Sequence, residues 1–286
     1  MQTAIKDKMI NSPIKWVGGK SRFRKQIISV IPPHSCYVEL FAGGAWVLFG
    51  KQPSDVEVLN DIDQELINFF RVVKHKPEEL ISSFELELVS RGEFERLADL
   101  EPSTLNDIDR AHRFYYLIMA GWGGELNYPR FATSISDGGH GNRLIGALKY
   151  LRERIDPVYN RLKKVVIENL SWQDCFERYD REQAFMYIDP PYPDNKCNYA
   201  HNMRSWDEHK ILSEKLKNAN CKWALSSYDN EEVRNLYAGF NIISYQAYSG
   251  MRVKKNDTKR VLNLEVLITN YVVPEIEESL LLQFQD

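Results

Sequence analysis

Cysteine and histidine are scarce in this sequence, and neither is arranged to bind a metal. The four cysteines, Cys36, Cys175, Cys197 and Cys221, are scattered along 286 residues and form no CxxC pair. This spacing predicts reduced thiols in a cytoplasmic protein and indicates neither a zinc site nor a disulfide framework. The six histidines are also isolated from one another, so we expect no bound metal.

Long apolar segments are missing as well. The longest uncharged apolar run, from Phe114 to Gly124, has 11 residues, which is too short to span a bilayer. The first residues, MQTAIKDKMINSP, carry charges and lack the apolar stretch of a signal peptide. We therefore expect no membrane association. The remaining composition, 43% hydrophobic and 27% charged, is typical of a globular protein with one large or two modest domains.

The net charge of −3 conceals an uneven distribution of charged residues. Residues 1–25 carry a charge of +6, residues 110–164 carry +6 and residues 252–260 carry +4, whereas residues 77–109 carry −8. Basic segments separated by acidic ones predict a composite surface that faces DNA. The same charges also fit several separate solvated faces, and charge alone leaves both interpretations open.

Apolar runs predict seven β-strands, with helices between several of them. The predicted strands are 36–41, 56–60, 165–169, 184–188, 221–226, 241–245 and 261–271, and predicted helices include 21–30, 207–217 and 230–237. Residues 62–164 are helical in character, apart from a loop-rich stretch at 121–143. The alternation predicts an α/β fold with a mostly parallel sheet. We expect one α/β domain, residues 1–62 and 165–286, into which a mainly helical domain, residues 63–164, is inserted.

Two strand ends near the amino terminus carry candidate binding residues, because ligands of open α/β sheets bind beyond the carboxyl ends of the strands. The turn FAGGA, residues 41–45, follows the first strand, and its glycines allow a ligand to approach the backbone closely. An ordinary turn would have the same sequence. Asp61 ends the second strand and is placed to accept hydrogen bonds from a ribose or an ammonium group. Alternatively, Asp61 or Asp63 caps the helix that begins near Gln64.

The sequence Asp189-Pro190-Pro191-Tyr192 is the strongest signal in the chain. Two prolines fix the backbone and remove two N–H donors, so the Asp189 carboxylate and the Pro190 carbonyl present only acceptors. Such a corner suits the planar amine of a nucleobase, which offers two N–H donors. Tyr192 can then stack on the base, which is worth roughly 1–3 kcal/mol. The alternative is a rigid turn with an exposed acid.

A further candidate, PIKWVGGK at residues 13–20, precedes the first strand. Trp16 offers an aromatic face to a cation or a sulfonium group, and Lys20 can pair with a carboxylate. A tryptophan at such a position is otherwise a core or lid residue.

The order of the motifs along the chain resembles that of the Dam-like DNA adenine-N6 methyltransferases. The motifs are KWVGGK, ELFAGGA, LNDID, the helical insert, DPPY and KWALSSYDN. The resemblance implies a Rossmann-like fold, S-adenosylmethionine as methyl donor, and methyl transfer to the N6 amine of a flipped adenine in duplex DNA. It also implies that the helical insert is the target-recognition domain. We expect a monomer, and a cognate restriction endonuclease is a candidate partner.

The resemblance also implies roles for individual residues. Adenine would be held by Asp189, Pro190, Pro191 and Tyr192, with residues 226–230 lining the same pocket. The cofactor would be bound by Trp16, Gly18, Lys20, Phe41, Gly43, Gly44, Asp61, Asp174 and Asp189. Glu168, Asn169 and Ser171 compete with Asp174 for its place. The chain departs from the family pattern at Ala45, which replaces a glycine and is tolerated if its φ is negative, and at Leu40, which replaces a proline.

Candidate DNA contacts lie in the basic segments. They are Asn127, Arg130, Asn142, Arg143, Lys254 and Lys255. Arginine suits guanine and asparagine suits adenine in the major groove, whereas the lysines suit phosphates. Ordinary loop polarity would explain the same residues.

Several other functions fit parts of the sequence. A dinucleotide-binding oxidoreductase also has a glycine turn and a following acid, but GxGxxG is missing and DPPY stays unexplained. Within methyl transfer, the acceptor could be cytosine N4, an RNA adenine or a protein amide. A catalytically silent DNA-binding or cofactor-sensing module is a third alternative.

Overall fold

The computed structural model of the chain describes residues 9–122, 129–133, 141–193, 203, 205–248 and 262–273. The strands of its sheet are β1 (Cys36–Glu39), β2 (Val56–Asn60), β3 (Val165–Glu168), β4 (Ala184–Ile188), β5 (Lys222–Tyr228), β6 (Asn241–Tyr248) and β7 (Leu262–Thr269). Each one overlaps a predicted apolar run. The runs are continuous rather than alternating because helices cover both faces of a mostly parallel sheet.

The sheet has the strand order β3-β2-β1-β4-β5-β7-β6. Strands β1 to β5 pair in parallel, whereas β7 lies between β5 and β6 and is antiparallel to both. The prediction of a mostly parallel, Rossmann-like α/β sheet is therefore confirmed. The order reverses between β1 and β4, and the crevice beyond their carboxyl ends is where such sheets bind ligands.

The described residues also form eleven α-helices. They are α1 (Arg24–Ser29), α2 (Trp46–Gly50), α3 (Gln64–His75), α4 (Pro77–Ser82), α5 (Arg91–Asp99), α6 (Asp107–Ala120), α7 (Arg143–Lys149), α8 (Leu151–Leu162), α9 (Trp172–Tyr179), α10 (Trp206–Lys217) and α11 (Glu231–Leu236). Most of the apolar run that begins at Phe114 is the buried end of α6. Within the described ranges, no helix is long and apolar enough to cross a membrane.

Helices α3 to α8 follow β2 in the chain and share one hydrophobic core with one face of the sheet. Phe69 of α3 stacks on Tyr115 of α6, with ring centroids 5.8 Å apart. Phe114 of α6 lies 6.3 Å from the ring of Trp16, which precedes the first strand. The same cluster of buried residues contains Tyr187 of β4 and Leu267 of β7. This helical segment is therefore packed directly against the sheet.

A buried ion-pair cluster links α8 to the amino end of β2. Glu57 of β2 accepts hydrogen bonds from Lys51, at 2.7 Å, and from Arg161 of α8. Arg161 also donates to the carbonyl oxygen of Leu48, at 3.0 Å. Because the Glu57 carboxylate is paired with two cations and hydrogen-bonded, its burial is tolerated at this position.

Candidate functional site

The glycine turn after β1 is tied to the end of β2 through Asp61. The backbone N–H of Gly43 donates to Asp61 Oδ2 at 2.9 Å, and the N–H of Asp63 donates to Asp61 Oδ1 at 3.0 Å. The side chain of Asp63 accepts from Glu65 N and Leu66 N and thereby caps α3. The capping role therefore belongs to Asp63, and Asp61 faces the crevice beside the turn.

Tryptophan side chains explain why glycines are required in this turn. A Cβ atom on Gly43, whose φ is +46°, would lie 2.6 Å from Nε1 of Trp16. A Cβ atom on Gly44 would lie 3.0 Å from Nε1 of Trp46 and 3.1 Å from the Cβ of Trp16. Trp16 thus covers the turn directly. Ala45 has a φ of +51°, in the left-handed region, so the condition of a negative φ is not met at this position.

The corner formed by Asp189 to Tyr192 follows β4, and Lys20 completes it. The Nζ atom of Lys20 lies 2.8 Å from Asp189 Oδ1, and the Tyr192 hydroxyl donates to the same oxygen at 3.1 Å. Both contacts therefore use one carboxylate oxygen. Lys20 also donates to the carbonyl of Gly18 at 3.1 Å and lies 4.9 Å from the centre of the Tyr192 ring.

Tyr192 is buried, but it belongs to the polar corner rather than to the hydrophobic core. Its ring packs edge-on against Tyr228 of β5, with centroids 4.5 Å apart, and both rings line the crevice. Besides the predicted stacking on a base, Tyr192 therefore has a second role, which is to donate a hydrogen bond from its hydroxyl to Asp189.

His209 of α10 anchors the far side of the corner. Its Nε2 atom lies 3.1 Å from the carbonyl oxygen of Pro191 and 3.0 Å from that of Met203. Because both partners are acceptors, Nε2 must carry the proton. The bond therefore ties the Pro191 carbonyl to α10.

Two further acids belong to the site and were not identified from the sequence. Glu39 ends β1, and its Oε1 accepts from the Tyr37 hydroxyl at 2.9 Å and from Leu48 N at 2.6 Å. Glu265 of β7 lies 3.8 Å from Lys20. The available signal was an acid within a largely apolar predicted run, which is a costly placement unless the acid has a partner.

Burial sets the protonation of this cluster. It raises the pKa of Glu39 from 4.5 to about 8, so Glu39 is mostly protonated at pH 7. Burial also raises the pKa of Asp189, although the Lys20 ammonium opposes that effect. Burial alone would lower the pKa of Lys20, but Asp189 and Glu265 outweigh it and raise that pKa above its ordinary value. Lys20 therefore stays charged.

The crevice is one continuous cavity of about 500 Å³, a size typical of a small-molecule site. It is lined by the predicted cofactor residues Trp16, Gly18, Lys20, Phe41, Gly43, Gly44, Asp61 and Asp189, and by Pro190, Pro191, Tyr192 and Tyr228. Among the described residues, the basic and carboxylic side chains that line it are Lys20 and six acids, which are Glu39, Asp61, Asp63, Asp189, Glu208 and Glu265. An excess of carboxyl groups suits a ligand with net positive charge, such as S-adenosylmethionine.

Some predicted site residues lie elsewhere. Asp174 is exposed and outside the lining of the cavity, and its Oδ2 accepts from the Ser171 hydroxyl at 2.6 Å. Asn230 caps α11, and Asp229 pairs with Arg234. These contacts stabilise helices α9 and α11, so the structure offers a structural role for each of these residues.

Asn142 is buried and committed to the fold. Its side chain caps α7 by accepting from Leu144 N, and its amide donates to the carbonyl oxygens of Ala120 and Ala132 at 3.0 and 2.6 Å. A buried side chain with these partners does not face DNA, which corrects the expectation of a base contact at this residue.

Arg130 and Arg143 are exposed, as a DNA contact requires. Burial and the nearby Arg143 together lower the pKa of Lys15, so these two basic side chains lie close together. The predicted contacts Asn127, Lys254 and Lys255 lie outside the described residues.

Comparisons with known proteins add independent findings. A model of the D12 class N6 adenine-specific DNA methyltransferases matches residues 16–251. The chain is 30% identical to the Type II methyltransferase M.CviBI of Paramecium bursaria Chlorella virus NC1A, over 82% of this chain and 88% of that protein. It is 26% identical to the Type II methyltransferase M1.LlaDCHI of Lactococcus lactis subsp. cremoris, over 90% and 94% of the two chains. It is 24% identical to a DNA adenine methylase of Haemophilus influenzae, over 92% and 95%.

Proposed function

The chain belongs to the D12 class of N6 adenine-specific DNA methyltransferases, and we propose that it methylates an adenine flipped out of duplex DNA, with S-adenosylmethionine as donor. The observation that carries this proposal is the polar corner after β4. Lys20 and Tyr192 both contact one oxygen of Asp189, and the corner lines the same cavity as Asp61 and the glycine turn. A base and a cofactor can therefore meet there.

The cofactor would be held by residues of three segments. Trp16, Gly18 and Lys20 come from the first, Phe41, Gly43 and Gly44 from the turn after β1, and Asp61 from the end of β2. When bound, S-adenosylmethionine supplies an electrophilic methyl group on a positively charged sulfur. The carboxylates of Asp61 and Asp189 favour such a cation electrostatically.

The corner would orient the target amine. The Asp189 oxygen that Lys20 does not contact accepts one N6–H, and the Pro190 carbonyl accepts the other. These bonds turn the nitrogen lone pair towards the methyl group, and Tyr192 or Tyr228 stacks on the base. Catalysis by such a site consists of alignment for direct in-line displacement. No covalent enzyme intermediate is required.

The basic surface of the helical segment would bind DNA. We propose that residues 63–164 form the target-recognition domain and that Arg130 and Arg143 contact DNA there, with Lys15 beside the cavity. Two relatives carry the name Type II methyltransferase, which supports a cognate restriction endonuclease as a partner. We further propose that the protein acts as a monomer in the cytoplasm, and the free thiols of Cys36, Cys175 and Cys221 are consistent with a reducing compartment.

Labelled methyl transfer tests the proposed function. Purified protein is incubated with methyl-labelled S-adenosylmethionine and duplex DNA, and the digested DNA is analysed for the modified base. We expect N6-methyladenine, and we expect Asp189→Ala to fold and lose transfer. Asp55→Ala is the matched control, because Asp55 is an exposed acid at the amino end of β2, whereas Asp189 follows the carboxyl end of β4. Label in cytosine, in RNA or in protein would refute the proposal, as would an active Asp189→Ala protein.

A further inference from the structure

Lys20 faces a second carboxylate besides Asp189, and this one belongs to Glu265 of β7. Oε2 of Glu265 lies 3.8 Å from Nζ of Lys20, and the Glu265 side chain is only 15% exposed. In the antiparallel ladders, Glu265 is directly opposite Tyr228 of β5 and Tyr245 of β6. Opposed residues share a face of the sheet, so Glu265 projects to the same side as the tyrosine that lines the cavity.

The packing of β7 does not by itself account for an acid at this position. Leu267 and Thr269 follow Glu265 on the same face, and both are buried. An uncharged residue would fill the position without the free-energy cost of removing a carboxylate from water. Burial raises the pKa of Glu265, and Lys20 opposes that effect. A buried acid beside the reacting corner indicates a functional role.

We propose that Glu265 is a positioning residue for methyl transfer, which holds the Lys20 ammonium between two carboxylates and keeps one oxygen of Asp189 open to the target amine. The inference rests on the function proposed above. Two N–H bonds of Lys20 are used by Asp189 Oδ1 and the Gly18 carbonyl, and Glu265 attracts the third. Without Glu265, the ammonium is free to contact both oxygens of Asp189.

Charge balance gives Glu265 a second effect on the reaction. Methyl transfer forms the bond between N6 and the methyl carbon while the bond from sulfur to that carbon breaks. The positive charge passes from sulfur to N6 until one proton leaves N6 for the Asp189 carboxylate. A cluster of one ammonium and two carboxylates is net negative and stabilises this charge, whereas the Lys20–Asp189 pair alone is neutral.

The charge of Glu265 acts on several titratable groups, so its removal has a signature in pH dependence. The groups that interact electrostatically within this cluster are Lys20, Glu39, Tyr187, Asp189, Tyr192, Tyr228 and Glu265. A nearby anion favours the protonated form of an acid and of an amine alike. Glu265→Gln therefore lowers the pKa of both Asp189 and Lys20, and both limbs of the pH–rate profile move to lower pH.

The test is single-turnover methylation by the full chain across a range of pH, with labelled S-adenosylmethionine and a duplex that the parent protein methylates. We expect Glu265→Gln to bind DNA within about twofold of the parent, and the rate is measured at saturating S-adenosylmethionine. Its transfer rate should fall by about tenfold to a hundredfold, as for a displaced reacting group, and its profile should move to lower pH. Glu265→Asp keeps the charge and should restore the position of the profile.

Glu57→Gln is the matched control, because Glu57 is a buried acid near the amino end of β2, outside the cavity, and is paired with Lys51 and Arg161. It should lose thermal stability and keep the parent's pH profile. If Glu265→Gln does not fold, Glu265→Met is measured in its place, with the same displaced profile expected. A profile that coincides with the parent's overturns the inference, whatever the stability. A parent protein that transfers no methyl group to DNA refutes the proposed function instead.

Discussion

Replacing Glu39 with glutamine should make the protein more stable than the parent at high pH, because the parent loses stability as Glu39 ionises. Glu39 is 2% exposed, and its Oε1 accepts hydrogen bonds from the Tyr37 hydroxyl and Leu48 N. Burial raises its pKa from 4.5 to about 8. Glutamine has the same shape as the protonated acid and keeps the accepting oxygen. The substitution therefore removes the titration and preserves the contacts.

The sign and the size of the effect follow from proton linkage. A pKa raised on folding means that the folded state binds the proton more tightly, so this contribution to stability is complete below pH 4.5. It is lost as pH rises towards 8. At about 1.4 kcal/mol for each pH unit between the two pKa values, the loss has an upper limit near 5 kcal/mol. Relaxation around the ionised group reduces it, and we expect about 2–4 kcal/mol.

Urea denaturation of both proteins between pH 5 and pH 9, followed by circular dichroism, measures this difference. Asp189 and Glu265 also have raised pKa values, but they are present in both proteins and largely cancel in the comparison. The free energies of unfolding of Glu39→Gln and the parent should be closest at pH 5, and that of Glu39→Gln should exceed the parent's at pH 9. A difference that does not change with pH, or one that favours the parent at high pH, would refute the reasoning.

Three further substitutions test other contacts. Gly43→Ala places a Cβ atom 2.6 Å from Nε1 of Trp16, on a residue whose φ is +46°. The affinity for S-adenosylmethionine, measured by calorimetry, should therefore fall at least about tenfold. An unchanged affinity would show that the turn is not part of the cofactor site. Tyr192→Phe loses a hydrogen bond to the Asp189 carboxylate, worth about 1.5–3 kcal/mol, so transfer should slow by about tenfold to a hundredfold while DNA affinity holds; a parental rate contradicts this. Asn142→Ala loses a helix cap and two hydrogen bonds to carbonyl oxygens, so the free energy of unfolding should fall by about 2–3 kcal/mol. Sequencing of the methylated DNA should show the same target sequence as for the parent. A changed target sequence would support Asn142 as a base contact.

Much of the fold can be predicted from the sequence, because the buried strands are largely apolar runs and polar, glycine or proline residues separate them. The family resemblance, based on the order of the motifs, is confirmed by the match over residues 16–251. The position of β7 between β5 and β6 cannot be predicted in this way. β7 pairs with both β5 and β6, and the hydrophobicity of a segment does not encode which strands it pairs with.

The candidate site is predictable only in part, for a related reason. Motifs identify Asp189 and Lys20, but their ion pair is a contact across 169 positions of sequence that only the fold brings together. Local sequence cannot decide whether Asn142 caps a helix or reads a base, since both roles use the same amide. Glu39 and Glu265 were missed because an acid within an apolar run gives no indication of its partner.

The most direct measurement is a crystal structure of the protein with duplex DNA and sinefungin, a cofactor analogue that cannot donate a methyl group. The account predicts an extruded adenine whose N6 lies about 3 Å from the Pro190 carbonyl oxygen and from the oxygen of Asp189 that Lys20 does not contact. An adenine held in the cavity with N6 turned away from Asp189, or bonded to a different side chain, would contradict it.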